Sequence, residues 1–274
     1  MSRRILVTGA SGTVGRQVTA QLLEAGVEVR ALTRGPADLP PAVESAHGDL
    51  SVLDSLHAAV EGVEAVFLVW PFASAEGLEE MLGVAAKHAR HVVYLSSEAV
   101  RDHERQAEQL IERSGLAWTI LRPHAFAANT LRWAEQIRAE GVVSGPYGEA
   151  AMSLVHERDI AAVAVRALTQ DGHAGAVHEL TGPHSLTQAE QVRVIGEAIG
   201  SPVRWAETSP EDARRQMLAR GWPPEVVDGI LEAQAEMTLG PSPVTTTVEE
   251  ITARPARTFR SWAAEHAHAF RATT

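Results

Sequence analysis

The sequence predicts an α/β protein, a Rossmann-type doubly wound parallel sheet with a smaller, interwoven C-terminal α/β substrate region. Three observations carry this. Short apolar runs alternate with segments of helical spacing through the first half of the chain. The turn after the first run, Val7-Thr8-Gly9-Ala10-Ser11-Gly12-Thr13-Val14-Gly15, has glycines spaced Gly-x-x-Gly-x-x-Gly and opens a helix. Ala65-Val66-Phe67-Leu68-Val69 is apolar at every position, as a strand covered on both faces must be.

Taken in order, Ile5-Leu6-Val7 is the first strand. Val14, Val18, Leu22 and Ala25 give a helix that Gly26 ends. Val27 to Leu32 is the second strand and Val43 to Ala46 a weaker third. Ser51 to Val60 reads as a helix with Ser51 as N-cap and Asp54 in its first turn. After the Ala65–Val69 strand come a helix over Leu78 to His88 and a strand over Val92 to Leu95. A helix over Glu104 to Arg113 and a strand over Trp118 to Leu121 follow. Later helices are expected at Phe126 to Ala139, Asp159 to Leu168, Gln188 to Ile199, Pro223 to Met237 and Thr258 to Phe270. Short strands are expected at Val142-Val143, Val177 to Leu180 and Val203 to Ala206. Gly240-Pro241-Ser242-Pro243 is the strongest breaker cluster. The expected division is a dinucleotide-binding domain over 1–150 and a substrate-binding cap over 151–274 with segments returning to the first.

The 274 residues are 45% hydrophobic and 22% charged, which supplies a core and argues against disorder as the main state. The net charge is −11 with no basic run, a poor match for nucleic acid or an anionic membrane surface. There is no cysteine, so disulfides, thiolate catalysis and cysteine-ligated metals are out. The apolar runs are far short of the roughly 20 residues that span a bilayer. The opening Met1-Ser2-Arg3-Arg4 leads too briefly into Thr8-Gly9 for a signal peptide. The expectation is a cytoplasmic protein acting on a small molecule, with a homodimer left open. His266 and His268 lie two apart and no His-Glu-x-x-His occurs, so no metal is assigned.

Ligands of a parallel sheet sit beyond the carboxyl ends of its strands. In the glycine turn, Gly9 permits the tight bend, Gly12 lets backbone approach a pyrophosphate, and Gly15 lets helix and strand pack closely. Ser11, Thr13 and Val14 belong to the same helix start, whose free N–H groups and partial positive charge suit an anion. An NAD site usually has an acid at the end of the second strand for the ribose 2′-hydroxyl. Here that strand ends Leu32-Thr33-Arg34-Gly35. Arg34 there suits the 2′-phosphate of NADP(H), which is favoured over NAD(H), unless it is simply a solvated loop residue. Arg16 and Arg30 are weaker candidates. Asp49-Leu50 follows the third strand, and Asp49 either faces the adenine or caps the helix beginning at Ser51. Val69, Trp70, Pro71, Ser96 and Pro123 stand at later strand ends and complete the expected cofactor contacts. Phe72, Ser97, His124, Phe126, Tyr147 and His156 are the candidates for the substrate pocket.

Thr8-Gly9-Ala10-Ser11-Gly12-Thr13-Val14-Gly15 resembles the atypical short-chain dehydrogenases of the NmrA-like, NAD(P)H-binding type. Further segments are similar to that family: Tyr94-Leu95-Ser96-Ser97, Glu108 through Arg122-Pro123, Phe126 with Asn129, His156-Glu157-Arg158-Asp159-Ile160-Ala161, and Leu180-Thr181-Gly182-Pro183. The likeness covers about residues 3 to 200. It implies a Rossmann domain, a small C-terminal substrate domain and NAD(P) binding. It leaves two activities open: reduction of quinones or other carbonyl and enone compounds, or a non-catalytic NADP(H)-binding redox sensor acting through a protein partner.

The Tyr-x-x-x-Lys pair of most short-chain dehydrogenases is missing. Tyr94 is followed by Glu98 and Tyr147 by Ala151 at the lysine position, and Lys87 is the only lysine. Hydride transfer can still draw on proximity and orientation. If a protein acid takes part, His103 is the first candidate, near where the resemblance to isoflavone-reductase-like enzymes places a catalytic lysine. Its other reading is a surface histidine among Arg101, Asp102, Glu104 and Arg105. Ser96 is the second catalytic candidate, or a hydroxyl that caps its strand end.

Overall fold

The computed structural model describes residues 3–99 and 101–272. The opening Met1-Ser2 and the last two residues of the expected cap lie outside them. The chain divides into two compact units. The first runs to His124 and adds Glu157–Leu180 and Thr247–Pro255. The second holds Ala125–His156, Thr181–Thr246 and the segment from Ala256. The expected boundary at 150 falls inside the second unit, and the chain first changes unit at His124.

The first unit is built on strands β1 (Arg4–Val7), β2 (Glu28–Thr33), β3 (Glu44–His47), β4 (Ala65–Leu68), β5 (His91–Leu95), β6 (Ala117–Pro123) and β7 (Ala176–Leu180). They form one sheet in the order β3-β2-β1-β4-β5-β6-β7, with every pair parallel. This is the doubly wound arrangement the sequence predicts. Its helices are α1 (Gly15–Glu24), α2 (His57–Val60), α3 (Leu78–Ala85), α4 (Asp102–Glu112), α5 (Glu157–Thr169) and α6 (Thr247–Thr252). Side chains alternate across a strand. Leu6, Leu32, Val66, Leu68, Val92, Tyr94 and Ile120 accordingly join one buried cluster with α2, α3 and α4. The alternate residues Ile5, Val7, Phe67, Val93 and Leu121 are equally buried, while α1 and α6 pack on α5. Both faces are covered, which is why the strands read as continuous apolar runs.

Helix α1 ends as the sequence predicts. Gly26 takes φ +73°, and N–H groups of Gly26 and Val27 donate to the carbonyls of Leu23 and Leu22, closing the last turn. The expected helix over Ser51–Val60 is different. Only a 3₁₀ turn, Leu53–Ser55, and the four residues of α2 are helical. Ser51 is not a cap: its N–H and hydroxyl both donate to Asp49 Oδ1, at 2.9 and 2.7 Å. Ser55 meanwhile donates to the Val52 carbonyl and accepts from Asp49 N–H. Hydroxyl bonds of this kind compete with the α-helical ladder.

The second unit has two small sheets. Val142–Gly145 runs parallel to Arg204–Glu207, and Ala151–Met152 antiparallel to Leu186–Thr187. The helix expected over Phe126–Ala139 is a 3₁₀ segment, Ala127–Trp133, followed by an α-helix, Ala134–Glu140. The Thr130 hydroxyl donates to the Ala127 carbonyl inside the 3₁₀ part, and Asn129-Thr130 are weak helix formers. The last expected helix breaks at His266 into Phe259–Glu265 and Ala267–Phe270. A helix over Pro210–Ala219 is additional. Ser209 caps it by accepting from Asp212 N–H, and Pro210 stands at its first position, a signal present in Ser-Pro-Glu-Asp. The core gathers Trp133, Ile137, Val143, Leu154, Val192, Ile195, Phe259, Trp262 and Phe270. No helix among the described residues is long and apolar enough to cross a membrane.

Candidate functional site

In the first unit a cavity of about 520 Å³ opens at the carboxyl ends of β1 to β4. Its wall takes Thr8–Ser11 after β1, Leu32–Ala37 at the end of β2, Gly48–Leu50 after β3, and Val69, Pro71 and Phe72 after β4. Order and position follow from the topology: β1 and β4 are neighbours although β2 and β3 intervene in sequence, and that reversal leaves a crevice.

The glycine turn forms the floor. Gly9 adopts φ +64°, and Gly12 N–H donates to its carbonyl at 2.9 Å. A Cβ on Gly15 would stand 2.0 Å from Gly9 O and 2.7 Å from Gly9 C, so only glycine allows α1 to start against the turn. Ser11, Gly12 and Thr13 are exposed, whereas Val14 and Gly15 are buried beneath them. Arg16 turns back on the loop and donates to the carbonyls of Gly12 and Ser11. An exposed turn held this way leaves backbone N–H groups for a pyrophosphate. Thr8, which the sequence reading passed over, fixes the neighbouring wall. Its Oγ1 accepts from Val69 N–H at 2.7 Å and donates to Val69 O at 3.1 Å, tying the ends of β1 and β4 together.

Arg34 is exposed on the rim and Asp49 faces the same cavity. The Ser51 N–H, then the Ser51 hydroxyl, then the charge of Arg34 hold the Asp49 carboxyl below its usual range. Asp49 lines the cavity and organises the turn after β3, and no helix begins at Ser51 for it to cap. Arg30 has a purely internal role. It is buried, donates to carbonyls of Ala59 and Glu61 at the end of α2, and pairs with Glu44. Trp70 does not line the cavity. Its indole N–H donates to Ser74 O, and its ring meets Phe72 edge-on at 4.8 Å.

The later strand ends behave differently. The Ser96 hydroxyl donates to Glu108 Oε1 at 2.6 Å, and Glu108 is gripped by Arg122 through two bonds of 3.0 and 2.6 Å. These three residues lie in segments quoted for the family resemblance, and the structure shows what they do: they pin α4 to the ends of β5 and β6. Ser97 and His124 are half-buried and Pro123 is buried. His124 N–H donates to Leu180 O. His103 stands in the first turn of α4 with Nε2 3.1 Å from Glu104 Oε1. Tyr94 is buried, and desolvation, with Glu104 and Glu108 nearby, pushes its phenol far above the ordinary value.

Phe126, Tyr147 and His156 belong to the second unit. Phe126 bridges to Val155 just before the 3₁₀ segment. Tyr147 packs on a small cluster of Ala213, Val227 and Leu231. His156 is buried, 3.7 Å from Glu265.

The glycine floor, the strand-end position and the crevice are the requirements of a dinucleotide site, and comparison with known proteins agrees. The family model described as NAD(P)H-binding matches residues 9–171. The chain belongs to this NAD(P)H-binding family. Among its relatives, the (4-alkanoyl-5-oxo-2,5-dihydrofuran-3-yl)methyl phosphate reductase of Streptomyces griseus is 41% identical, over 97% of this chain and 99% of that protein. The NAD(P)H azoreductase of Xenophilus azovorans is 37% identical, over 97% and 99%. Of solved structures, the NADPH-dependent quinone oxidoreductase of Escherichia coli complexed with NADPH superposes with a TM-score of 0.80 at 22% identity, covering 95% of this chain and 99% of that one. The Citrobacter triphenylmethane reductase complexed with NADP(H) gives 0.77 at 20% identity, covering 96% and 99%. The expected membership of an NAD(P)H-binding family holds.

Proposed function

We propose that this protein is an NAD(P)H-dependent reductase that prefers NADPH and reduces a small, electron-poor conjugated acceptor such as a quinone or enone. The observation that carries the reading is Arg34 on the cavity rim at the end of β2, where an NAD site would have an acid. The full-length relatives named as reductases, of a dihydrofuranone phosphate and of azo compounds, support the reaction class.

Bound NADPH supplies the hydride. The chain's own groups do the rest. N–H groups of the Gly9–Gly15 turn receive the pyrophosphate, with the start of α1 beneath it. Arg34 pairs with the 2′-phosphate, a charge-assisted contact. Thr8 fixes the Val69 end of β4, and Pro71 and Phe72 wall the cavity. An electron-poor acceptor needs little acid assistance, which fits a chain without Tyr-x-x-x-Lys. Where a proton is given, His103 is the donor, its ring oriented by Glu104.

The test is spectrophotometric. Purified protein is mixed with NADPH and a panel of quinones and enones, and nicotinamide absorbance is followed. Oxidation with at least one member supports the reading; tight NADP binding with no oxidation across the panel favours a redox sensor instead. Arg34→Ala is expected to lower NADPH affinity about ten-fold while leaving NADH affinity unchanged. An unaltered NADPH-to-NADH ratio overturns the 2′-phosphate assignment. His103→Ala should slow turnover without changing NADPH affinity.

A further inference from the structure

The second unit contains a cavity of about 210 Å³ that none of the roles above uses. Tryptophans dominate its wall. Trp133 and Trp205 meet edge-to-face with centroids 5.9 Å apart, and Trp222 adds a ring that is still 48% exposed. Two arginines line it, Arg132 and Arg220, and no acid does.

Arg132 is the unusual member. Its guanidinium carbon lies 5.2 Å from the centre of the Trp133 ring. Its one polar contact among the described residues is Gln188 Oε1 at 3.5 Å, the outer limit of a hydrogen bond. Gln188 is held for this by its own amide, which donates to the carbonyls of Pro146 and Tyr147. Among the described residues no carboxylate pairs with Arg132. Surrounding protein pulls its pKa down by desolvation. The residue as a whole is exposed and lines the cavity, so its guanidinium can be reached from solvent. With no acid on the cavity wall beside it, the guanidinium is open to an anion entering the cavity. A second group points the same way: Gln234 Oε1 lines the cavity, is buried and accepts no hydrogen bond from the described residues.

We propose that this cavity is a binding site for a small aromatic or conjugated molecule carrying one anionic group, a carboxylate or a phosphate monoester. The ring system lies among Trp133, Trp205 and Trp222. The anion pairs with Arg132, whose fork takes either anion in bidentate fashion, and Arg220 adds long-range attraction. Gln234 Oε1 accepts from a hydroxyl or N–H on the ligand. The volume suits one or two fused rings rather than a drug-sized molecule. The inference concerns binding alone and stands whether or not the proposed reduction is observed.

Calorimetric titration of the full chain, with no nicotinamide present, tests it with three ligands of one shape: 1-naphthoate, 1-naphthyl phosphate and 1-naphthalenemethanol. At least one anion is expected to bind ten-fold or more tightly than the neutral alcohol, and the two anionic arms tell carboxylate from phosphate. Arg132→Gln should abolish that preference and Arg132→Lys retain part of it, while Trp133→Leu weakens all three ligands. Equal binding of anion and alcohol, no binding of any, or a preference that survives Arg132→Gln overturns the proposal. Because Arg132→Lys preserves the charge, it serves if the glutamine variant fails to fold.

Discussion

In the first unit the surface offered to an anion is backbone, the exposed turn from Ser11 to Thr13 resting on Gly9 and Gly15. In the second it is a side chain, Arg132 over the face of Trp133. The arginines make the contrast sharper. Arg122, in the first unit, donates two bonds to Glu108, and that partner raises its pKa. Arg132, ten residues on in the other unit, has its pKa lowered by desolvation alone. A buried or half-buried cation needs a counter-charge, and where the fold supplies one the residue is part of the framework. Arg132 is instead exposed on a cavity wall that has no acid, where a ligand's anion can pair with it. Backbone sites carry no such debt, since N–H groups at a helix start are unpaired by construction.

The largest effect expected comes from breaking the backbone site. In Gly15→Ala the new Cβ stands 2.0 Å from Gly9 O and 2.7 Å from Gly9 C, far inside van der Waals contact, so the turn or the start of α1 must move. A fall in dinucleotide affinity on the order of 100-fold is expected, with a stability loss of about 1–3 kcal/mol. Binding of 1-naphthyl phosphate in the second unit should be unchanged. A variant that loses both ligands would mean that the two sites are not built independently.

Glu108→Ala asks what happens when Arg122 is made to resemble Arg132. The substitution strands a half-buried guanidinium and frees the Ser96 hydroxyl. Denaturant unfolding should show a loss of about 2–3 kcal/mol, less than for a fully buried pair because Arg122 keeps some contact with water. Stability unchanged within error would mean that the network is ornamental and that an unpaired arginine is no argument for a ligand.

The same contrast explains how much could be read in advance. The phosphate turn is one continuous stretch whose chemistry is a glycine spacing, and Arg34 is located by its distance from that turn and by the strand it ends. Both are local properties of a sequence. The strands were legible because each is apolar on both faces. The cavity of the second unit draws on Arg132, Trp133, Trp205, Trp222 and Gln234, which share no spacing and meet only through the fold. The helix cap expected at Ser51 fails for a related reason. A serine ahead of an apolar-periodic stretch suggests a cap, but the two hydroxyls and one carboxylate had a cheaper arrangement among themselves. The unit boundary at His124 leaves no mark in composition, because β6 passes directly from one unit to the other.

The smallest effect expected concerns protons and sharpens the comparison from the side of the first unit. His91 and His178 both have pKa values below the usual 6.5, chiefly through burial, with the nearby His173 adding to it. Thr119 Oγ1 donates to the His173 carbonyl at 2.7 Å, so it must accept from His91 Nε2, and His173 Nδ1 meets His178 Nε2 at 3.3 Å. Neutral rings suit this arrangement. Between the lowered folded value and 6.5 the unfolded chain binds more protons, so stability is complete above about pH 6.5 and falls as the pH drops below it. Thermal unfolding followed from pH 8 to pH 5.5 should show that decline, and His91→Gln should flatten it even if the variant is less stable at pH 8. A slope that His91→Gln leaves untouched would place the acid sensitivity outside this cluster. In that case the first unit would no longer be the one whose buried polar groups are balanced within the fold.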